Sequence, residues 1–256
     1  MQPYYEDPHT QLYVGDCRDV LPALELQADC VIADPPYGET SLAWDRWPDG
    51  WLEVAAIVAP ALWCFGSMRM FLKHHSEYTA AGWKLAQDVV WEKHNGPGFQ
   101  TDRFRRVHEI ATHWYRGAWG DVHHEVPRII SGEHRRTIRR SEYGPAQYGS
   151  RGPSADVRDG TVLARSVLYA KSMQRSAIHP TEKPVKGLLE HLVSYSVPPG
   201  GLVVDPFAGS GSTLVAAREM GRQAVGVEAS EEYCEAAAKR LSAIDAQPHL
   251  PFEVGA

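Results

Sequence analysis

Cysteine is scarce in this chain: Cys17, Cys30, Cys64 and Cys234 are scattered, and no Cys-x-x-Cys pair is present. That excludes a disulfide framework and a zinc knuckle, and leaves four reduced, largely buried thiols. The pairs His74-His75 and His123-His124 lack ligand spacing, because adjacent residues point different ways on helix or strand; no metal is expected. Long apolar runs are missing as well, since nothing approaches the ~18 to 20 residues that span a bilayer. Glu6 and Asp7 precede any apolar stretch, unlike a signal peptide, so the expectation is a cytoplasmic chain without membrane contact. Positive charge is not in excess either: a net charge of −6 argues against a generally sticky polyanion binder. No internal repeat is found.

What charge there is lies unevenly. Gln100 to Lys186 carries 16 Lys+Arg against 9 Asp+Glu, whereas the remainder carries 10 against 23. A phosphate-binding surface needs only such a local field, because Lys and Arg release counterions where they touch the backbone. The densest run is Arg135-Arg136-Thr137-Ile138-Arg139-Arg140. The 256 residues, 43% of them hydrophobic, fit one large domain or one domain with an insertion.

Apolar patterning predicts strands at Leu12 to Gly15, Cys30 to Ala33, Ala61 to Phe65, Leu202 to Val204 and Gln223 to Val227. Helices are predicted from an Asp19 cap through Leu26, at Trp51 to Val58, at Met68 to Ala80, from Pro184 through Val193, at Ser212 to Met220 and from Glu231 to about Ile244. Lys84 to Trp91 and Glu109 to Tyr115 are β-rich runs around a glycine-rich basic loop, which predicts an antiparallel pair. From Arg116 to Arg175 the periodicity dissolves.

Two motifs carry chemistry. Asp34-Pro35-Pro36-Tyr37 directly follows the Cys30 to Ala33 run. Each proline fixes its own φ and restricts the residue before it, so the strand end opens into a stiff loop. Such a loop presents a carboxylate, a carbonyl and an aromatic face, a set suited to an exocyclic amine on a nucleobase. Trp44 and Trp47 lie in the polar segment beyond it, which reads as a cover for the site, and the two rings fit either closure of the pocket or a satellite core. The second motif, Asp205-Pro206-Phe207-Ala208-Gly209-Ser210-Gly211-Ser212-Thr213, joins a strand to a helix. Its glycines let the backbone pass close to a ligand, but it is neither a dinucleotide Gly-x-Gly-x-x-Gly nor, lacking Lys, a Walker loop. Glu228 ends the next strand, where an acid takes ribose hydroxyls.

The first motif resembles the catalytic tetrapeptide of amino-methyltransferases that act on adenine N6 or cytosine N4. In that resemblance Asp34 and the Pro35 carbonyl accept from the target NH2 and Tyr37 stacks on the flipped base, with Pro36 a member of the same catalytic motif. The second motif is similar to the S-adenosylmethionine site of the same family, with the glycine turn along the methionine and Glu228 on the ribose. His179-Pro180-Thr181-Glu182-Lys183-Pro184 resembles the family's segment beside the methionine carboxylate, implying His179, Thr181 and Lys183 there. Gly15-Asp16-Cys17 resembles the strand-end acid at the cofactor adenine, and family-like patterns recur at Val89 to Lys93 and His108 to Ile110.

Motif order, catalytic first and cofactor last, resembles the beta arrangement of DNA amino-methyltransferases. It implies a circularly permuted, Rossmann-like α/β fold with a doubly wound, mostly parallel seven-stranded sheet. Residues 1–115 would form the catalytic half, 116–175 an inserted target-recognition region and 176–256 the cofactor half. Strands ending at Ala33 and Val204 would then be neighbours at the topological switch point. The implied activity is adenine-N6 methylation of double-stranded DNA after base flipping, with Arg135, Arg136, Arg139 and Arg140 on the DNA. A homodimer and a cognate restriction endonuclease are the implied partners. Asp in the first motif position tilts the resemblance toward adenine over cytosine N4; an RNA target and a non-catalytic regulator that binds cofactor and DNA are the other readings.

Overall fold

The computed structural model describes residues 1–94, 96, 101–130, 161–172 and 182–245. The chain divides into two compact units, Met1–Glu125 with Ser166–Ala256 and, separately, Val126–Arg165. In the larger unit the strands are β1 (Tyr5–Glu6), β2 (Thr10–Val14), β3 (Cys30–Ala33), β4 (Ala61–Gly66), β5 (Lys84–Glu92), β6 (His108–Tyr115), β9 (Val167–Tyr169), β10 (Leu202–Asp205) and β11 (Gln223–Glu228). The smaller unit contains β7 (Arg128–Ile130) and β8 (Thr161–Leu163), an antiparallel pair tied by Arg128 Nε donating to Thr161 Oγ1 at 2.6 Å.

The nine strands of the larger unit form one sheet in the order β1-β2-β11-β10-β3-β4-β6-β5-β9. Its seven central strands are those the sequence predicts. Five neighbours, β2 through β4, run parallel. β6 runs against β4 and β5, which confirms the predicted antiparallel pair. The edge strands β1 and β9, two and three residues long, are too short to leave a periodic signal.

Strand alternation decides where the core lies, because successive side chains point to opposite faces. Cys30 and Ile32, with Trp63 and Phe65, join one buried cluster; Val31 and Ala33, with Leu62 and Cys64, join the other. Helices α4 (Glu190–Ser196), α5 (Ser212–Glu219) and α6 (Glu231–Asp245) cover the first face, and α1 (Cys17–Leu24), α2 (Trp51–Val58) and α3 (Met68–Ala80) cover the second. A strand covered on both sides must be apolar throughout, as Cys-Val-Ile-Ala is. Among the described residues no helix is long and apolar enough to cross a membrane.

Two helix starts differ from expectation. Asp16, not Asp19, caps α1, accepting from Arg18 N at 2.9 Å, because the chain turns at Gly15 directly into the helix and leaves Asp19 in the first turn. The helix expected from Pro184 opens instead with a widened turn over Val185–Leu189, in which Lys186 and Gly187 are non-helical. Gly187 has φ +78° and its N–H donates to Glu190 Oε1 at 2.9 Å, so regular helix begins only at Glu190.

β3 and β10 pair in parallel, with Val203 opposite Cys30 and Val204 opposite Val31. From β3 the chain crosses to β4 through α2, and from β10 it crosses to β11 through α5 on the opposite side. That divergence opens a crevice above the carboxyl ends of both strands.

Against the first face, β6 buries His113 completely. Its ring stacks on Trp63 at 4.5 Å and stands edge-on to Tyr195 at 5.3 Å, and neither ring nitrogen has a hydrogen-bond partner among the described residues. Burial, with His124 adding to it, pushes its pKa down to about 3. Because the unfolded chain takes up this proton near pH 6.5 and the native chain does not, the group costs stability as pH falls below 6.5. At pH 5 the cost is about 2 kcal/mol. Denaturant titrations at pH 7.5 and pH 5 should therefore show a smaller acid-induced loss in His113→Leu than in the parent, by about that amount.

Candidate active site

The crevice encloses about 740 Å³ and takes its walls from the ends of β2, β3, β10 and β11 and from the segment at residues 182–183. Asp34 is the first residue beyond β3. Its Oδ1 accepts from the Tyr37 hydroxyl at 2.8 Å, and its Oδ2 takes the ammonium of Lys183. Burial, with the charges of Asp34 and Glu109 nearby, pushes the Tyr37 phenol well above its ordinary pKa, so it remains a donor. Pro35, Pro36 and Tyr37 line the same space.

Lys183 is expected from sequence to face an incoming carboxylate, whereas here its ammonium is engaged by the protein's own acids. Besides Asp34 it has Glu109 Oε2 at 3.5 Å, and it lies over the Phe65 ring at 5.1 Å. Glu109 Oε1 in turn takes Lys93. Acids and bases thus alternate from Asp34 through Lys183 and Glu109 to Lys93. Burial would lower the Lys183 pKa, but Asp34 and Glu109 outweigh it and raise the value. Burial would likewise raise that of Glu109, and Lys183 and Lys93 reverse the direction. Both groups are charged at neutral pH. Glu109 and Lys93 fall within patterns noted in the sequence without a role. The available signal was a carboxylate just before the apolar pair Ile110-Ala111 at the start of a β-rich run.

The segment beyond Tyr37 is folded around one acid. Asp45 is 3% exposed and accepts from the backbone N–H groups of Gly38 at 2.7 Å, Glu39 at 3.0 Å and Thr40 at 2.7 Å. Burial raises its pKa, yet these hydrogen bonds prevail and hold it below the ordinary range. The two tryptophans separate here. Trp47 stacks on His74 at 4.0 Å and donates to Glu77 Oε2 at 2.6 Å, so it belongs to the packing. Trp44 is 54% exposed and lines the crevice.

The opposite wall is the turn after β10. Asp205 is buried and accepts from Phe207 N at 3.0 Å; burial pushes its carboxyl up to about 7, with Thr213 and that N–H partly offsetting the effect. Glu228, at the end of β11, accepts from Gly209 N and from Ser230 N, each at 2.8 Å. Gly211 has φ +78°, and a Cβ there would come within 3.1 Å of Ala237 Cβ, so only glycine fits unstrained between the turn and α6. Pro206, Phe207, Ser210 and Thr213 line the crevice beside these groups. Asp16 and Cys17 complete this side, with Asp16 paired to Arg18 at 2.5 Å and burial pushing the Cys17 thiol up to about 12. His179, Thr181, Arg135, Arg136, Arg139 and Arg140 lie outside the described residues.

Comparison with known proteins agrees with this geometry. The family model for N6/N4-type DNA methylases matches residues 28–239. The type II methyltransferase M2.LlaDCHI of Lactococcus lactis subsp. cremoris is 24% identical over 270 aligned positions, covering 94% of this chain and 92% of that protein. M1.HpyAVI, solved as a complex with SAM, shares the fold with a TM-score of 0.63 at 22% identity, covering 90% of this chain and 99% of that one. So does the PvuII DNA methyltransferase, described as cytosine-N4-specific, with a TM-score of 0.61 at 16% identity over 99% of this chain and 91% of that one. A match that runs from just before β3 into α6, and so takes in both Asp34 and the turn after β10, places this chain in the N6/N4 family of DNA methylases.

Proposed function

We propose that the chain transfers a methyl group from S-adenosylmethionine to the N6 amino group of adenine in a short duplex recognition sequence, after rotating that base out of the helix. One observation carries the reading: the Asp34 carboxylate and the glycine turn at Gly209 face a single crevice, across two strands paired side by side.

The turn wall suits the cofactor. Glu228 is fixed by two backbone N–H groups, and its remaining lone pairs are free to accept from ribose hydroxyls. The acidic lining favours a ligand whose sulfonium and ammonium are both positive. When bound, S-adenosylmethionine supplies an electrophilic methyl group. Asp34 and the Pro35 carbonyl supply acceptors for the two N–H bonds of the target amine. An exocyclic amine is a weak nucleophile because its lone pair is delocalised into the ring; hydrogen bonds to its protons favour a tetrahedral nitrogen with the lone pair available. The rest is orientation, the nitrogen held in line with the methyl carbon. Tyr37, locked through its hydroxyl to Asp34, offers a ring face to the flipped base, whose unstacking costs a few kcal/mol.

Cytosine N4 is the second reading. It would use the same acceptors, and the cytosine-N4-specific PvuII enzyme has the same fold. Asp at position 34 favours adenine through the family resemblance. The arginines of residues 135–140 would hold phosphates in either case, and a homodimer would supply the contact surface that one such domain lacks.

Asp34→Ala should lower methyl transfer by roughly a hundredfold or more, with cofactor affinity changed only a few-fold. Nucleoside mass spectrometry of DNA from cells expressing the parent chain should show N6-methyladenine; N4-methylcytosine alone would assign the other base. Trp44→Ala should reduce kcat/KM on paired duplex by about tenfold, as expected for one lost base stack. On a duplex mismatched at the target base, where flipping is already cheap, the loss should be smaller.

A further inference from the structure

Glu109 has no part in the chemistry described so far, yet it lines the crevice and holds a buried oxygen in reserve. Its Oε2 makes no hydrogen bond among the described residues, while the Lys183 ammonium stands 3.5 Å away, beyond hydrogen-bond length and nearer to Asp34. A buried carboxylate oxygen without a bond is costly. One that faces an ammonium is a ready second seat for it.

We infer that Glu109 is a positioning residue for methyl transfer: it draws the Lys183 ammonium from Asp34 as the target amine arrives, leaving the charge of Asp34 to the reacting nitrogen. The inference rests on the methyl-transfer reading and concerns how its acceptor is made available. In the transfer, the nitrogen lone pair forms the new N–C bond while the S–C bond breaks, and sulfur keeps that electron pair. Positive charge therefore grows on nitrogen, and the surplus proton leaves through Asp34 to water. A lone Asp34–Lys183 pair is neutral and puts a cation beside the growing charge. Glu109 offers the ammonium a second seat, so that the cation beside the growing charge can withdraw without losing its partner. Lys93, with 20% of its side chain exposed, grips the far oxygen of Glu109 and keeps it in place. The lowered pKa of Glu109 and the raised pKa of Lys183 agree with both being charged throughout.

The test uses the full chain, unmethylated genomic DNA and tritiated S-adenosylmethionine under single-turnover conditions at saturating cofactor. Glu109→Gln should lower the transfer rate by roughly 10- to 100-fold, with the dissociation constants for cofactor and DNA within threefold of the parent. If Glu109 acts only through Lys183, its removal should add nothing once the ammonium is gone. Lys183→Met/Glu109→Gln should then match Lys183→Met within threefold and exceed Glu109→Gln. A Glu109→Gln rate equal to the parent's, or a loss confined to binding, would overturn the inference. If Glu109→Gln fails a melting check, the double variant decides alone, since it leaves no buried lysine charge short of a partner. A rate more than tenfold below Lys183→Met would then refute it. An inactive parent on every DNA tried removes the methyl-transfer reading and this inference with it, whereas an active parent with an unaffected Glu109→Gln removes this inference only.

Discussion

The side-by-side pairing of β3 with β10 is the constraint on which the site depends. Val31 and Val204 are far apart in sequence and directly opposed in the sheet, so Asp34 and Asp205 emerge within the same crevice. Neither loop could form the crevice alone. The crossover after β3 leads to one side of the sheet and that after β10 to the other, so no helix covers the space between their carboxyl ends. Chain order is immaterial to this geometry. The Asp34 loop, placed before the glycine turn, meets it as well as one placed after, provided the two strands remain neighbours.

The crevice is walled by acids, which is unexpected for a protein acting on a polyanion. Asp16, Asp34, Glu109, Asp205 and Glu228 all line it, with Lys183 as a cation among the lining side chains. Each acid is held by a different device: Arg18 for Asp16, Tyr37 and Lys183 for Asp34, Lys93 for Glu109, two backbone N–H groups for Glu228. Asp205 is the least compensated, and its carboxyl is pushed up to about 7 as a result. A phosphate brought into such a space would meet repulsion and lose its counterions without replacement. The walls therefore disfavour a phosphate and suit an uncharged or cationic group. Of the basic excess between Gln100 and Lys186, Lys183 alone among the described residues lines the crevice.

Sequence revealed those parts of the site that are local. Asp34 with its prolines, the turn at Gly209 and Gly211, and Glu228 at a strand end are each readable because neighbouring residues fix the backbone that presents them. Relations set by the sheet were hidden. Glu109 reaches Lys183 only because β6 runs antiparallel beside β4, with Ile110 opposite Gly66, and no spacing in the chain encodes that register. Sequence points Lys183 toward a ligand carboxylate, and its pairing with Asp34, 149 residues away, is a contact that no local spacing encodes. The cap of α1 was misplaced by one turn for a smaller reason: Asp16 and Asp19 are both good caps, and the turn at Gly15 decides between them. His113 lies in a run legible only as β-rich, and it is the rings of Trp63, Trp119 and Tyr195 packed around it that bury it wholly.

The two tryptophans beyond the Asp34 loop show how rigidity and exposure are divided. Three successive N–H groups bond to the Asp45 carboxylate, and Ser67, which caps α3, donates to Glu39 Oε1 at 2.5 Å. Trp47 is stacked and hydrogen-bonded beneath. A segment pinned at so many points has little entropy left to lose when a ligand arrives, so its ordering cost is met in folding rather than in binding. Trp44, one residue before the pinning acid, is held at its backbone while its ring stays exposed at the crevice. A large apolar surface kept in water by a rigid support gains most when another planar surface covers it. Pinning by Asp45 thus leaves the exposed ring of Trp44 available to stack on a planar group that enters the crevice.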